Sequence, residues 1–321
     1  MAFIDLDAGF ADSETINDAV AAAEGSTCAL VGVTRRRVSA ELERLVRALA
    51  CTLTDAQQPA NPATVPVRSL DEEIAALADA GAVSPIAVAT LARLLPLTAA
   101  LEVREGLVAE SLAYSTLLAG PEFSRWLRGR RRPSPPEERD DPVLVHRENG
   151  VLTITLNRPH KRNAYNRRMR DQLVEALTVA ASDQSISAVE VRGNGPSFCS
   201  GGDLDEFGTT PDPATAHIVR VSQSVALLLH ACADRVRVRV HGACIGAGVE
   251  LASFASRVTA TPDAFFSLPE IEMGLIPGAG GTVGITRRIG RWRTAYLALS
   301  GRRLDVDTAL SWGLIDSVED G

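Results

Sequence analysis

From residue 143 onward the chain alternates short strand-like stretches with amphipathic ones. Val151-Leu-Thr-Ile-Thr-Leu156 interleaves polar and apolar residues and predicts a strand. Asn166 to Ala181 carries Met169, Leu173, Leu177 and Ala181 at helical spacing. Ala188-Val-Glu-Val-Arg192 reads as a second strand that runs into a Gly/Pro loop. Val219 to Cys232 predicts a further helix, Val236-Arg-Val-Arg-Val240 a strand of period two, and Gly246 to Phe254 a small-residue helix start. Repeated strand–helix units predict an α/β domain.

The first part of the chain has a different texture. Cys28-Ala-Leu-Val-Gly-Val33 predicts a buried strand and Glu41 to Ala50 an amphipathic helix. Residues 84–132 are strongly helical in pattern. Ser84 stands at an N-cap position with Pro85 in the first turn, and Pro96 is expected to end or kink that helix. A longer helix is expected to run to about Leu118, with Gly120-Pro121 as its stop signal. It has two apolar stripes, Val103, Leu107, Tyr114 and Leu118, then Leu101, Val108 and Leu112. Such a helix is normally sandwiched between elements or subunits; a self-contained helical hairpin is the alternative. The run Pro133-Ser-Pro-Pro-Glu-Glu-Arg-Asp-Asp-Pro142 disfavours helix and central strand, and reads as a linker. The expected division is thus 1–132, a linker at 133–142, and a core at 143–321.

Composition narrows the function classes. The 321 residues are 45% apolar and 23% charged, enough to bury a large core. A net charge of -7 gives no reason to expect nucleic-acid binding. No apolar run reaches the length of a membrane span, and the acidic N-terminus lacks the basic region of a signal peptide. Cys28, Cys51, Cys199, Cys232 and Cys244 show no paired spacing, which suggests reduced thiols and a cytoplasmic protein. The five histidines are scattered, so no metal site is expected. Lys161 is the only lysine, so nearly every cationic contact must come from arginine.

Three segments carry candidate chemistry: Ser197-Phe-Cys-Ser-Gly-Gly-Asp-Leu204, His241-Gly-Ala-Cys-Ile-Gly-Ala-Gly-Val-Glu-Leu251, and Phe266-Ser-Leu-Pro-Glu270 with Met273-Gly-Leu-Ile-Pro-Gly-Ala-Gly-Gly-Thr282. Small residues at 201–202 and 246–248 let a ligand approach the main chain. One N–H from each loop could hold a developing oxyanion. Glu250 is expected in a first helical turn, where the dipole favours its charged form, while burial beside Pro269 is expected to raise the pKa of Glu270. Two carboxylates in unequal surroundings suit acid/base work. Gly246-x-Gly248 lacks the further glycine and acid of a dinucleotide fingerprint, and no GxSxG elbow occurs.

Taken together, these segments resemble the enoyl-CoA hydratase/isomerase (crotonase) superfamily. So do Ile154-Thr-Leu-Asn-Arg-Pro159, Arg162-Asn-Ala-Tyr-Asn166, Gly301-Arg-Arg-Leu, and Ala309-Leu-Ser-Trp-Gly-Leu-Ile315. The resemblance covers 143–321 and implies a crotonase-like spiral of ββα repeats behind a mostly helical N-terminal region. It implies that the N–H groups of Gly202 and Ala247 grip a thioester carbonyl, and that Glu250 and Glu270 are the two hydratase glutamates. Lys161, Arg162 and Ala164 fall where the family contacts the CoA moiety, and Ser200, Asp203 and Leu204 line the same groove. The implied partner is an acyl-CoA thioester, with no cofactor beyond the CoA of the substrate, and the implied assembly is a homotrimer or a hexamer. An enoyl-CoA hydratase is the leading reading. The alternatives are an enoyl-CoA isomerase, another thioester-enolate lyase, or a weakly catalytic partner subunit.

Two departures stand out. The family's C-terminal helical segment is expected past Val318, whereas residues 84–132 look like that segment placed ahead of the core, with Arg130, Arg131 and Arg132 near the CoA phosphates. Residues 1–70 look like a shrunken remnant of a second core. Arg237 and Arg239 sit on a strand that is apolar on both faces in the family, so they are expected to be buried and paired with acids of the N-terminal part or a neighbouring subunit.

Overall fold

The computed structural model describes residues 1–9, 12–56, 61–130 and 140–319. The chain opens with strand β1 (Ala2–Asp5), helix α1 (Ser13–Gly25), β2 (Leu30–Thr34), α2 (Glu43–Ala48), β3 (Cys51–Thr54) and β4 (Thr64–Pro66). The four strands form a parallel sheet in the order β1-β2-β3-β4. Pattern predicts only β2, because the others span three or four residues, too few to display a period. The predicted helix at 41–50 is cut short where fully buried Leu49 turns the chain into β3.

Four helices follow: α3 (Leu70–Val83), α4 (Pro85–Ala100), α5 (Val103–Leu118) and α6 (Pro121–Arg128). Ser84 occupies the N-cap of α4, but its side chain makes no capping bond. Glu122 does that work instead, accepting from the Ile86 and Ala87 N–H groups at 2.7 and 2.9 Å. Of the two expected outcomes at Pro96, ending the helix does not occur: α4 runs past it to Ala100. Pro96 lies on the exposed face, where water can serve the carbonyl that the ring leaves without a donor. In α5 the sandwich exists, but its buried faces include Gly106, Glu110, Ser111 and Ser115, while Leu101 and Leu112 of the second stripe are exposed.

The core begins with β5 (Val143–Glu148), β6 (Val151–Leu156), α7 (Arg167–Ser182) and β7 (Ala188–Gly193). Next come α8 (Pro213–Ser222), α9 (Val225–Ala231), β8 (Val236–Val240), β9 (Ala243–Ile245), α10 (Ala247–Ala252), β10 (Arg257–Ala260) and β11 (Phe265–Ser267). The chain closes with α11 (Gly281–Ile289), α12 (Arg291–Ser300), β12 (Leu304–Asp305), α13 (Val306–Trp312) and β13 (Ser317–Val318). One sheet has six strands in the order β13-β10-β8-β7-β6-β5, the other three in the order β12-β11-β9. Each turn places one strand in the large sheet, the next in the small sheet, and then a helix: β8, β9, α10, then β10, β11, α11. The result is a spiral of ββα units.

The helix expected over 219–232 is two helices. Asp212 caps the first by accepting from Thr215 N, and Ser224 caps the second by accepting from Leu227 N. Side-chain caps inside an apolar run favour a break there. Arg237 and Arg239 are exposed, not buried: β8 alternates buried valine with exposed arginine, and its register sets Arg237 beside Glu190 and Arg257. The outer face of the large sheet is open at β8, so these arginines need no buried acid.

The N-terminal region is welded to the core. α3, α4, β3 and β4 pack on α12, while α4 and α5 pack on α11 and α5 on α8. Thr98 Oγ1 donates to the Thr282 carbonyl at 2.8 Å, and Arg302 pairs with Glu73 at 3.2 Å. One apolar cluster runs from Val31 and Leu53 through Leu91 and Leu95 to Phe266 and Ile285. Among the described residues no single helix is long and apolar enough to cross a membrane.

Candidate active site

A cavity of about 350 Å³ opens where α5, α8 and α10 meet the loops after β7 and β11. Gly202, Asp203, Ala247, Glu250 and Glu270 all line it. Among the described residues, the N–H groups of Gly202 and Ala247 have no acceptor. Ala247 is the first residue of α10, whose opening N–H groups have no partner within the helix. Gly246 holds φ +49°, and a Cβ there would lie 2.6 Å from Glu270 Oε1. Glycine is required at that position twice over, by the backbone conformation and by the approach of the carboxylate.

The sequence pointed to two carboxylates; the structure assembles three. Glu250 Oε2 accepts from the Ala279 and Gly281 N–H groups at 2.6 and 2.9 Å. Glu110, from α5, accepts from the alternate ones: Gly280 N–H at 2.7 Å and Thr282 N–H at 2.9 Å, with the Thr282 hydroxyl at 2.7 Å. Four consecutive N–H groups at the start of α11 are thus divided between a core glutamate and an N-terminal one. Glu270 is buried, and its Oε2 has no hydrogen-bond partner.

Burial raises all three acids. Glu270 is pushed up to about 8, chiefly by burial and further by the Glu110 charge. Glu110 is pushed to about 7 by burial, against the pull of its Thr282 and Gly280 donors and of Arg220. Glu250 lies well above the ordinary carboxylate range, through burial first and then the Glu270 and Glu110 charges. That corrects the expectation that the helix dipole keeps Glu250 charged: α10 has only six residues, and burial beside two other acids outweighs its field. Within the pair the hydrogen bonds set the order. Glu250 has two N–H donors from α11 to hold an anion, while Glu270 has only its own main-chain N–H and, among the described residues, no partner at Oε2, so when the pair holds one proton it belongs on Glu270.

Of the residues expected along the CoA groove, Asp203 lines the cavity, and the others stand on the segments beside it in sequence, 161–164 and 200–204. Lys161 Nζ meets Asp205 at 2.6 Å, and Arg130, just past α6, reaches the same carboxylate at 3.9 Å. Arg162 is exposed at φ +50°. Ala164 is buried, and its carbonyl accepts from Arg158. Ser200 Oγ donates to the Lys161 carbonyl, and Leu204 is 36% exposed. The Asp203 carboxylate is bound to buried Arg158 at 2.7 Å, which fits a groove lined at this residue by main chain. Arg131 and Arg132 lie outside the described residues, as do positions 133–139 of the linker.

Pattern reading missed Glu110, Tyr114 and Arg220 as residues of this cavity. The signal for the first was a glutamate amid Gly106, Ala109 and Ser111, an acid on the close-packing face of a helix. Arg220 had none, since its helix was framed six residues late. The aromatic rings of Phe123 and Trp126 on α6 close against Phe207, 6.4 and 5.9 Å between centroids.

Residues 146–320 match the family profile described as enoyl-CoA hydratase/isomerase. The chain is 38% identical over 176 residues to 2,3-dehydroadipyl-CoA hydratase of Escherichia coli K12, covering 55% of this chain and 68% of that protein. It is 37% identical over 183 residues to 1,2-epoxyphenylacetyl-CoA isomerase of the same organism, covering 56% and 70%. Among solved structures, the enoyl-CoA hydratase of Mycobacterium smegmatis superposes with a TM-score of 0.52 at 32% identity, over 56% of this chain and 71% of that one. The chain therefore belongs to the enoyl-CoA hydratase/isomerase family of the crotonase superfamily.

Proposed function

We propose that this protein hydrates 2-enoyl-CoA thioesters. The observation that carries the reading is the convergence of Glu250, Glu270 and two unpartnered N–H groups on one cavity. The N–H groups of Gly202 and Ala247 grip the thioester oxygen, and each is worth about 3–4 kcal/mol as charge gathers there. Glu250, held as the anion by Ala279 and Gly281, takes a proton from water as the water oxygen bonds to C3. The C2–C3 electron pair moves onto the carbonyl as an enolate. Glu270, protonated through burial, delivers its proton to C2, and the carbonyl reforms. The sum is one water added, and the proton that Glu250 took then passes through solvent to Glu270, which restores both groups. Lys161, Arg162, Ala164, Ser200 and Leu204 border the CoA path. Residues 84–130 serve as its lid, in the place the family fills from its C-terminal end.

An isomerase needs one base to move a proton between carbons, so a second anchored glutamate favours hydration. Loss of the conjugated-thioester absorbance with crotonyl-CoA and longer enoyl-CoAs tests this. Glu250→Gln should abolish nearly all of that activity. An isomerase would keep most of its turnover in the same variant.

A further inference from the structure

Arg220 projects from α8 into the cavity and is used by none of the chemistry above. Its Nε donates to Ser111 Oγ at 3.1 Å, and its Nη2 to the Ser111 carbonyl at 3.2 Å and to Ser115 Oγ. The guanidinium carbon stands 4.7 Å from the centroid of the Tyr114 ring. Among the described residues no carboxylate lies within ion-pair distance of it, and its Nη1 has no hydrogen-bond partner. The nearest acid in the electrostatic sense, Glu110, has both oxygens committed to residues 280 and 282. A half-buried cation without a counter-ion is costly, and arginine cannot discard its charge.

The position of this cation matters as much as its isolation. The Tyr114 ring also presses on Gly278, where a Cβ would lie 2.3 Å from the ring. Gly278 is followed by Ala279, whose N–H holds Glu250. Arg220 is therefore one aromatic ring away from the loop that anchors the proposed base. Arg104, two turns earlier on α5 than Ser111, lines the same cavity. A plain alkyl tail would leave Arg220 without a counter-ion.

We propose that Arg220 is a specificity-determining residue that binds a carboxylate at the far end of the acyl chain, so that the substrates are ω-carboxylated 2-enoyl-CoAs only a few carbons long beyond the reacting pair. Naming this substrate class rests on the hydratase reading. The guanidinium fork suits it, because Nη1 and Nη2 can face one carboxylate. Lid helix α5, tied to Arg220 through Ser111 and Ser115, then closes over a neutralised chain end.

The test measures binding and turnover separately on the full chain. Hexanoyl-CoA and its analogue with a carboxylate in place of the terminal methyl are titrated by calorimetry. The wild type should bind the carboxylated ester about tenfold to a hundredfold more tightly, the range expected of one charge-assisted contact. Arg220→Met should erase that preference, and Arg220→Lys should keep part of it. A merely structural role, holding α5 to α8, would weaken both esters alike and leave their ratio unchanged. Equal binding of the two esters by the wild type, or an unchanged ratio in Arg220→Met, overturns the proposal. The matching 2-enoyl esters are then assayed for hydration. Preference without hydration would sink the hydratase reading and leave the carboxylate site standing.

Discussion

At the scale of single residues, three buried acids make this site sensitive to pH. Glu270 titrates near 8 in the fold against an ordinary value of 4.5. Below about 4.5 it is protonated whether folded or not. As pH rises toward about 8, the unfolded chain gives up this proton while the folded one keeps it. The folded state then binds more protons, so stability falls with rising pH across that window. Glu110, pushed to about 7, adds in the same direction. Denaturant unfolding at a series of pH values should show this decline, and Glu270→Gln, which has no proton to lose, should flatten it. The same variant should lower kcat by about 10²–10⁴-fold with little change in CoA-ester binding, since its proton moves only in the transition state.

At the scale of elements, α11 is the junction. Its first N–H groups would be costly orphans in a buried loop, and two glutamates from opposite ends of the chain satisfy them. Glu110→Gln would set an amide NH₂ against either Gly280 N–H or Thr282 N–H. A stranded buried donor should cost about 1–3 kcal/mol by denaturant titration. It should also lower kcat, because Ala279 and Gly281 then hold Glu250 less firmly. A variant as stable and active as the wild type would remove Glu110 from this role. The sequence made the core side of the junction legible. Gly246, Glu250 and Glu270 stand in segments whose small residues and turns declare a site. Its N-terminal side was not legible as chemistry, because Glu110 looks like any helix-surface acid until α5 is laid on α11. β1, β3 and β4 escaped for another reason: three or four residues carry no periodicity, and β3 and β4 are placed by long-range packing on α12. Helix breaks at Ser224 and continuity at Pro96 depend on capping and on which face meets water, which spacing alone does not encode.

At the scale of the whole molecule, the region before residue 131 belongs to the same folded body as the core, with α4 and α5 covering α11. Residues 143–321 expressed alone should therefore be insoluble, since removing α3, α4 and α5 bares the apolar faces of α11 and α12. A soluble and active fragment in a sedimentation and turnover assay would show that the N-terminal region is an independent appendage. The bond between Glu110 and Gly280 has one more implication, for the order in which the chain is made. It joins residues 170 positions apart. A ribosome adding about 5–20 residues per second would take about 10–30 seconds to deliver the partner. During that interval α5 is complete but has nothing to close upon, its carboxylate is hydrated, and its ionisation is that of an ordinary surface acid. The site acquires its unusual acidity only when the last third of the chain arrives, so synthesis itself keeps Glu110 an ordinary acid until there is a loop for it to hold.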